Sequence, residues 1–141
     1  MNKFKEIRPI ALGLIEDEGK ILVFEGYDSR KNETFYRMLG GGIEFGEYGK
    51  DALVREFQEE INETIRVNDH VLTVENIFTY EGKTAHEIVM VYKAEILSST
   101  VKNEYTVKEG TRSYVAKWID KKDFIDGTKI LYPLELIEYL K

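Results

Sequence analysis

Three consecutive glycines, Gly40-Gly41-Gly42, stand between a short aromatic β-type run, Thr34 to Leu39, and the clearest helical segment of the chain. No other feature narrows the fold as much. A plain strand-to-helix turn needs one glycine and hardly three in a row. Backbone this bare lets its carbonyls and amides approach a metal or a phosphate with no side chain in the way. The next helix is predicted over about Tyr48 to Ile61, because Leu53, Val54, Phe57 and Ile61 fall on one face at helical spacing. Asn62 then supplies a left-handed stop, where asparagine ranks second to glycine.

The remaining pattern is mostly β-type. Ile7 to Glu16 is an apolar run. Asp17-Glu18-Gly19-Lys20 supplies a turn and Ile21 to Phe24 resumes a strand, which together predict a hairpin. Gly26 to Glu33 is polar and reads as a surface loop. Val71 to Tyr80 and His86 to Ile96 are long stretches separated by Glu81-Gly82-Lys83, and they are expected to pair antiparallel. Ser113 to Ile119 is a further strand, Asp120 caps a short helix, and Pro133 sits in the first turn of a terminal one. Strands before, between and after helices give an α/β fold, a mixed sheet flanked by helices. No repeat, linker or composition shift divides the 141 residues, so residues 1–141 read as a single domain.

Composition removes several classes of function. A net charge of −6 lacks the basic face that sequence-independent nucleic-acid binding needs, although a bound cation can still bring in a small anionic substrate. With no cysteine, disulfides, zinc–thiolate sites and thiol nucleophiles are excluded. The start, Met1 to Lys5, is charged, and Arg8 and Pro9 interrupt the apolar residues beyond it, so no signal-peptide core is expected. No apolar run approaches the ~18 residues of a membrane span. The chain reads as a soluble, cytoplasmic domain.

Chemistry concentrates on the long helix. Glu56, Glu59 and Glu60 stand at i, i+3 and i+4, sharing one side roughly a third of a turn from the apolar face. Like charges at that spacing repel by about 0.2–0.5 kcal/mol per pair. A hard divalent cation turns the repulsion into coordination, since Mg²⁺ takes carboxylate oxygens and keeps waters and substrate phosphates for the rest. An ExxEE pattern alone is most often a solvated acidic face. Here the glycine run and the adjoining Ile43-Glu44-Phe45-Gly46-Glu47 open the same helix, and Arg55 is placed to clamp Glu47 with a bidentate contact.

Taken as one unit, Gly41 to Glu60 resembles the Nudix box, Gx5Ex7REUxEExGU. Gly41 opens it, Glu47 comes after five residues, and seven more lead to Arg55-Glu56, Phe57 and Glu59-Glu60. The box's closing glycine falls on Asn62, its last apolar position on Glu63, and the proline that often precedes the glycines is Leu39. Asn62 still serves as the cap, and Ile65 is expected to take the buried place. The strand order, His86 near the start of a long strand and Trp118 before a short helix are similar to the family's layout. The resemblance implies an α/β/α sandwich around a mixed sheet. It also implies metal ligation by Glu56, Glu59 and Glu60 with the Gly40 carbonyl, and Glu47–Arg55 as the site's structural ion pair.

The activity implied is metal-dependent hydrolysis of a phosphate anhydride in a nucleoside di- or triphosphate derivative, with Mg²⁺ as cofactor and Mn²⁺ as a substitute. Glu59, beside the implied ligands, is the first candidate for the base that accepts the water's proton. Glu109, in the Lys108-Glu109-Gly110 loop, is the second, although such a residue is more often plain surface. His86 reads as a packed or hydrogen-bonded residue. Arg37, Arg8 and Tyr36 are candidates to line the substrate cleft. Tyr80 falls where some members that cleave diadenosine polyphosphates carry a tyrosine, and it or Phe78 can stack a base. The alternative functions are an idle nucleotide-binding sensor that keeps the fold, or an acidic protein whose helix binds Ca²⁺. The expected partner is a small nucleotide. A homodimer is entertained from similar small enzymes, with no sequence feature that demands one.

Overall fold

The computed structural model describes residues 5–141, so all of the charged start except Lys5 lies outside the described residues. The chain runs β1 (Ile7–Leu14), β2 (Glu16–Asp17), β3 (Lys20–Asp28), β4 (Glu33–Met38), β5 (Gly40–Gly42) and α1 (Gly49–Ile61). It continues β6 (Ile65–Tyr80), β7 (Lys83–Ile96), β8 (Glu104–Glu109), β9 (Arg112–Asp120), α2 (Lys121–Ile125), β10 (Leu131–Tyr132) and a terminal 3₁₀ helix, Leu134–Tyr139. The mixed α/β architecture is as expected, but the strands divide into two mixed sheets. One has the order β5-β1-β7-β6, with β1 and β7 parallel; the other runs β10-β4-β3-β9-β8, with β10 and β4 parallel.

The central strands carry apolar side chains on both faces, and period-two alternation distributes them to two cores. Ile10, Leu12 and Leu14 of β1 join Val23, Met38, Val89 and Leu131 under Phe124 of α2 and Leu136 of the 3₁₀ helix. Ala11 and Ile15 point the other way, into a core closed by Leu53, Phe57 and Ile61 of α1. The helix seats tightly because Gly13 of β1 has no side chain; a Cβ there would lie 3.2 Å from the Phe57 ring. Among the described residues no helix is long and apolar enough to cross a membrane.

Several local expectations change. β1 does not form a hairpin with β3: a strand apolar on both faces belongs inside a sheet, and it pairs with β5 and β7 instead. Only Glu16–Asp17 folds back on Lys20–Ile21, across Glu18 and Gly19, both at positive φ. The Gly26–Glu33 loop shrinks to residues 29–32, since the buried carboxylate of Asp28 accepts the backbone N–H groups of Arg30, Lys31 and Glu81 and lets both strands extend. Lys108 and Glu109, expected in a loop with Gly110, instead end a strand, Glu104–Glu109. Its inward Tyr105 and Val107 are buried, but its outward residues are polar and hide the alternation. Pro133 precedes the 3₁₀ helix instead of lying in its first turn.

The helix end is as expected. Asn62 caps α1 at φ 55°, ψ 43°, its N–H donating to the Gln58 and Phe57 carbonyls, and its side-chain oxygen accepts from Gln58 Nε2 at 2.6 Å. Ile65 is buried, and Glu63 is buried with it. A β-branched residue resists the left-handed region, so Asn62→Val is expected to lower unfolding free energy by about 1–2 kcal/mol. Asn62→Gly should stay within a few tenths of wild type, roughly the cost of an exposed side-chain contact. Urea denaturation of the three proteins checks the order.

Candidate active site

The glycine run is a strand, not a loop: Gly40, Gly41 and Gly42 pair with Leu12, Ala11 and Ile10 of β1. This pairing lays bare backbone along the flank of α1. A Cβ on Gly41 would fall 2.4 Å from the carboxyl carbon of Glu56, so the glycine is what makes room for that carboxylate. Gly40 adopts φ 153°, and a Cβ there would strike the Ala11 carbonyl oxygen.

Arg55 ties the helix to the segment that leads into it. Its Nε and Nη2 donate to the two oxygens of Glu47, both at 2.9 Å, and Nη2 also donates to the Gly42 carbonyl at 3.0 Å. Nη1 donates to Glu56 Oε1 at 3.0 Å and Glu59 Oε2 at 3.3 Å. Glu47 in turn accepts the Glu44 backbone N–H. The Arg55 hydrogen bonds, helped by that amide, hold the Glu47 carboxyl down at about 2.

The three helix glutamates part company. Glu56 and Glu60 turn inward, and Glu60 is 7 % exposed. Glu59 turns outward onto Arg55, its side chain 60 % exposed. Glu60 is pushed well above the ordinary carboxylate range, first by burial, then by the hydrogen bond and charge of Glu56 and by the charge of Glu109. Glu109 reaches this cluster from the end of β8. Tyr114 Oη donates to Glu109 Oε2 at 3.0 Å and lies 3.5 Å from Glu60 Oε2. Burial and those two carboxylates raise the Tyr114 phenol, which keeps it a hydrogen-bond donor.

Among the described residues no three acidic or histidine side chains converge as a ready-made metal cage. The residues nevertheless fit a divalent cation that brings its own waters. Glu56 and Glu60 are hard oxygen donors one helical turn apart, in a cradle that a Cβ on Gly41 would fill. Burial disfavours charge on Glu60, and a cation held beside Glu56 and Glu60 would offset that cost.

A cleft of about 650 Å³ opens beside this cluster, and a smaller cavity of about 290 Å³ continues it to Gly40–Gly42 and Glu56. Arg8, Phe24, Arg37, Glu87, Glu109 and Tyr114 line both. Tyr80 and Phe78 line the outer cleft, where the Tyr80 ring meets Phe35 edge-on at 6.0 Å. His86 lines it too, 3.2 Å from Glu75. Tyr36 does not. Its ring is buried against Phe124 and its hydroxyl donates to Glu25, because β4 alternation sends Phe35 and Arg37 to the cleft and Tyr36 to the core. Sequence patterns alone do not single out Glu87 or Tyr114. The available signal for Glu87 is an acid in phase with the inward Ala85, Val89 and Val91 of β7.

The NUDIX domain family profile matches residues 6–135. No curated protein matches the sequence significantly. Among solved structures, the chain is similar to a NUDIX hydrolase from Nitrosomonas europaea (18 % identity, TM-score 0.66, covering 96 % of this chain and 86 % of that one). It is also similar to the MutT protein from Methanosarcina mazei Go1 (23 %, 0.66, 96 % and 94 %). A third match is an ADP-ribose pyrophosphatase from Streptococcus suis 89-1591 (13 %, 0.61, 96 % and 90 %).

Two outcomes are expected from the site's geometry. Gly41→Ala should displace the Glu56 carboxylate and weaken Mn²⁺ binding by tenfold or more, read by calorimetry, with helix content unchanged by circular dichroism. Glu47, whose folded value lies near 2 against an ordinary 4.5, contributes stability that is complete above about pH 4.5 and is lost as pH falls toward 2. Melting temperatures measured down that window should fall less steeply in Glu47→Gln, which lacks the titrating group.

Proposed function

The chain belongs to the Nudix family, and on that premise we propose that it hydrolyses the pyrophosphate linkage of a nucleoside di- or triphosphate derivative by attack of water on phosphorus. The observation that carries this reading is Glu56, set against Gly41 at the inner end of a cleft large enough for a nucleotide, with the buried carboxylate of Glu60 one helical turn away. Mg²⁺, or Mn²⁺ in its place, would be held by Glu56 and Glu60 with the Gly40 carbonyl, and would supply charge neutralisation and a more acidic water. Glu59, turned outward onto Arg55, is poorly placed to join them.

The protein's own residues do the rest. Arg55 holds Glu56 toward the glycine strand and locks Glu47 to the helix, so the inner end of the cleft keeps its shape. Arg8 and Arg37 line the passage from that end to the outer cleft and bind the diphosphate. Tyr80 offers a ring for the base or sugar-linked group beyond.

For the proton of the attacking water we favour Glu109 over Glu59. Glu109 lines both cavities and is oriented by Tyr114, whereas Glu59 faces solvent and is engaged by Arg55. A base must reach the reacting water, and only the first arrangement aims a carboxylate into the cleft.

The test is release of nucleotide or phosphate from nucleoside triphosphates, dinucleoside polyphosphates and nucleotide sugars including ADP-ribose, with Mg²⁺ and with Mn²⁺. Glu60→Gln should abolish metal-dependent turnover. Glu109→Gln should lower kcat by about 10²–10⁴-fold, the usual range for losing a general base, and Glu59→Gln by less than tenfold. The reverse ranking would assign the base to Glu59. Nucleotide binding that requires metal, with no turnover of any substrate, would replace the hydrolase reading with a sensor.

A further inference from the structure

A buried carboxylate that the proposed chemistry leaves unused lies in the floor of the cleft. Glu87 is 5 % exposed and sits in the core-facing phase of β7, where its neighbours in phase are Ala85 and Val89. Two arginines approach it, one for each oxygen. Arg37 Nη2 donates to Oε1 at 2.7 Å, and Arg8 Nη1 lies 3.8 Å from Oε2. The arginines arrive from different sheets. Arg8 stands opposite Glu87 in the parallel β1–β7 pair, while Arg37 projects from β4 across the cleft. Arg8 also borders the glycine strand, its Nη2 being 3.9 Å from where a Cβ on Gly42 would stand.

We propose that Glu87 is a positioning residue that holds Arg8 and Arg37 together as a preassembled subsite for one phosphate of the substrate, next to the Glu56–Glu60 end of the cleft. Two guanidinium charges against one carboxylate leave the group one positive charge in excess, matched to an anion. A guanidinium has five donors, and Glu87 engages one terminal nitrogen of Arg37, so donors remain for an incoming phosphate. Both arginines line the inner cavity as well as the outer cleft, the span a diphosphate must cross to reach Glu56. Holding long side chains in place before binding removes the cost of ordering them afterwards. What the anion belongs to rests on the hydrolase reading; the arrangement of the subsite does not.

Two effects of removing Glu87 oppose one another, and this makes the proposal testable. If the carboxylate only competed with the anion, its loss would tighten anion binding. If it positions the arginines, its loss weakens binding. The experiment measures affinity for inorganic pyrophosphate by calorimetry in Glu87→Gln, Arg37→Lys and the double variant, with thermal melts of each. Steady-state kinetics are then measured on the best substrate found. Glu87→Gln is expected to weaken pyrophosphate by tenfold or more and to raise KM by a larger factor than it lowers kcat. The double variant should be no weaker than the worse single one, because both changes undo the same arrangement. Glu87→Asp should recover part of the affinity. Unchanged or tighter pyrophosphate binding, or additive losses, would overturn the proposal. A lowered melting temperature with binding intact would make Glu87 a cross-sheet tie only. Should Glu87→Gln fail to fold, the Arg37→Lys and Glu87→Asp proteins decide by the same readouts. Weakened pyrophosphate binding in a protein that turns over nothing would sink the hydrolase reading and leave the subsite standing.

Discussion

Arg55 is the residue through which the parts of this site communicate. Its guanidinium meets the segment before the helix at Glu47, the glycine strand at the Gly42 carbonyl, and the helix's own acids at Glu56 and Glu59. Five donors in a rigid plane can satisfy such a set of acceptors at once, which a lysine ammonium cannot. Without that cation, three glutamates within one helical turn would face a stretch of backbone whose carbonyls are also negative. With it, the helix, the loop and the glycine strand become a single rigid unit, and Glu56 and Glu60 are presented inward while Glu59 is drawn out.

That unit is anchored by packing that is apolar and unspecific in its chemistry. α1 rests on β1 through Phe57 over Gly13, and β1 carries the glycine strand along its other edge. The helix that holds the acids and the strand that faces them are therefore fixed to one scaffold strand. A site whose members share one support keeps its spacing to the precision that charge chemistry needs. The second sheet brings Arg37, Glu109 and Tyr114 to the same place from the opposite side, and the cleft is the space left between the two sheets.

Much of this architecture is legible in the chain. The helix, its asparagine stop, the paired long strands and the capping by Asp120 all obey local rules: apolar period, left-handed tolerance and side-chain capping. The resemblance in Gly41 to Glu60 points to the family. The expectations that changed share a cause. β1 leaves its hairpin because both its faces need cover; Tyr36 goes to the core because β4 puts Phe35 and Arg37 toward the cleft. Each depends on which sheet a strand joins, and nothing within a strand's own residues says so.

The sequence by itself determined the local elements, the spacing of the acidic helix and the family pattern, since these depend on residues no more than a few turns apart. Only the tertiary structure decided which glutamates face inward, that Glu109 joins them through Tyr114, and that Glu87 lies beneath two arginines from different sheets. Most of these contacts join positions fifty or more residues apart in the chain, as Arg37 and Glu87 or Glu60 and Tyr114 do. Their partners are selected by sheet order and by burial, through which an acid is forced to find a cation or to hold its proton.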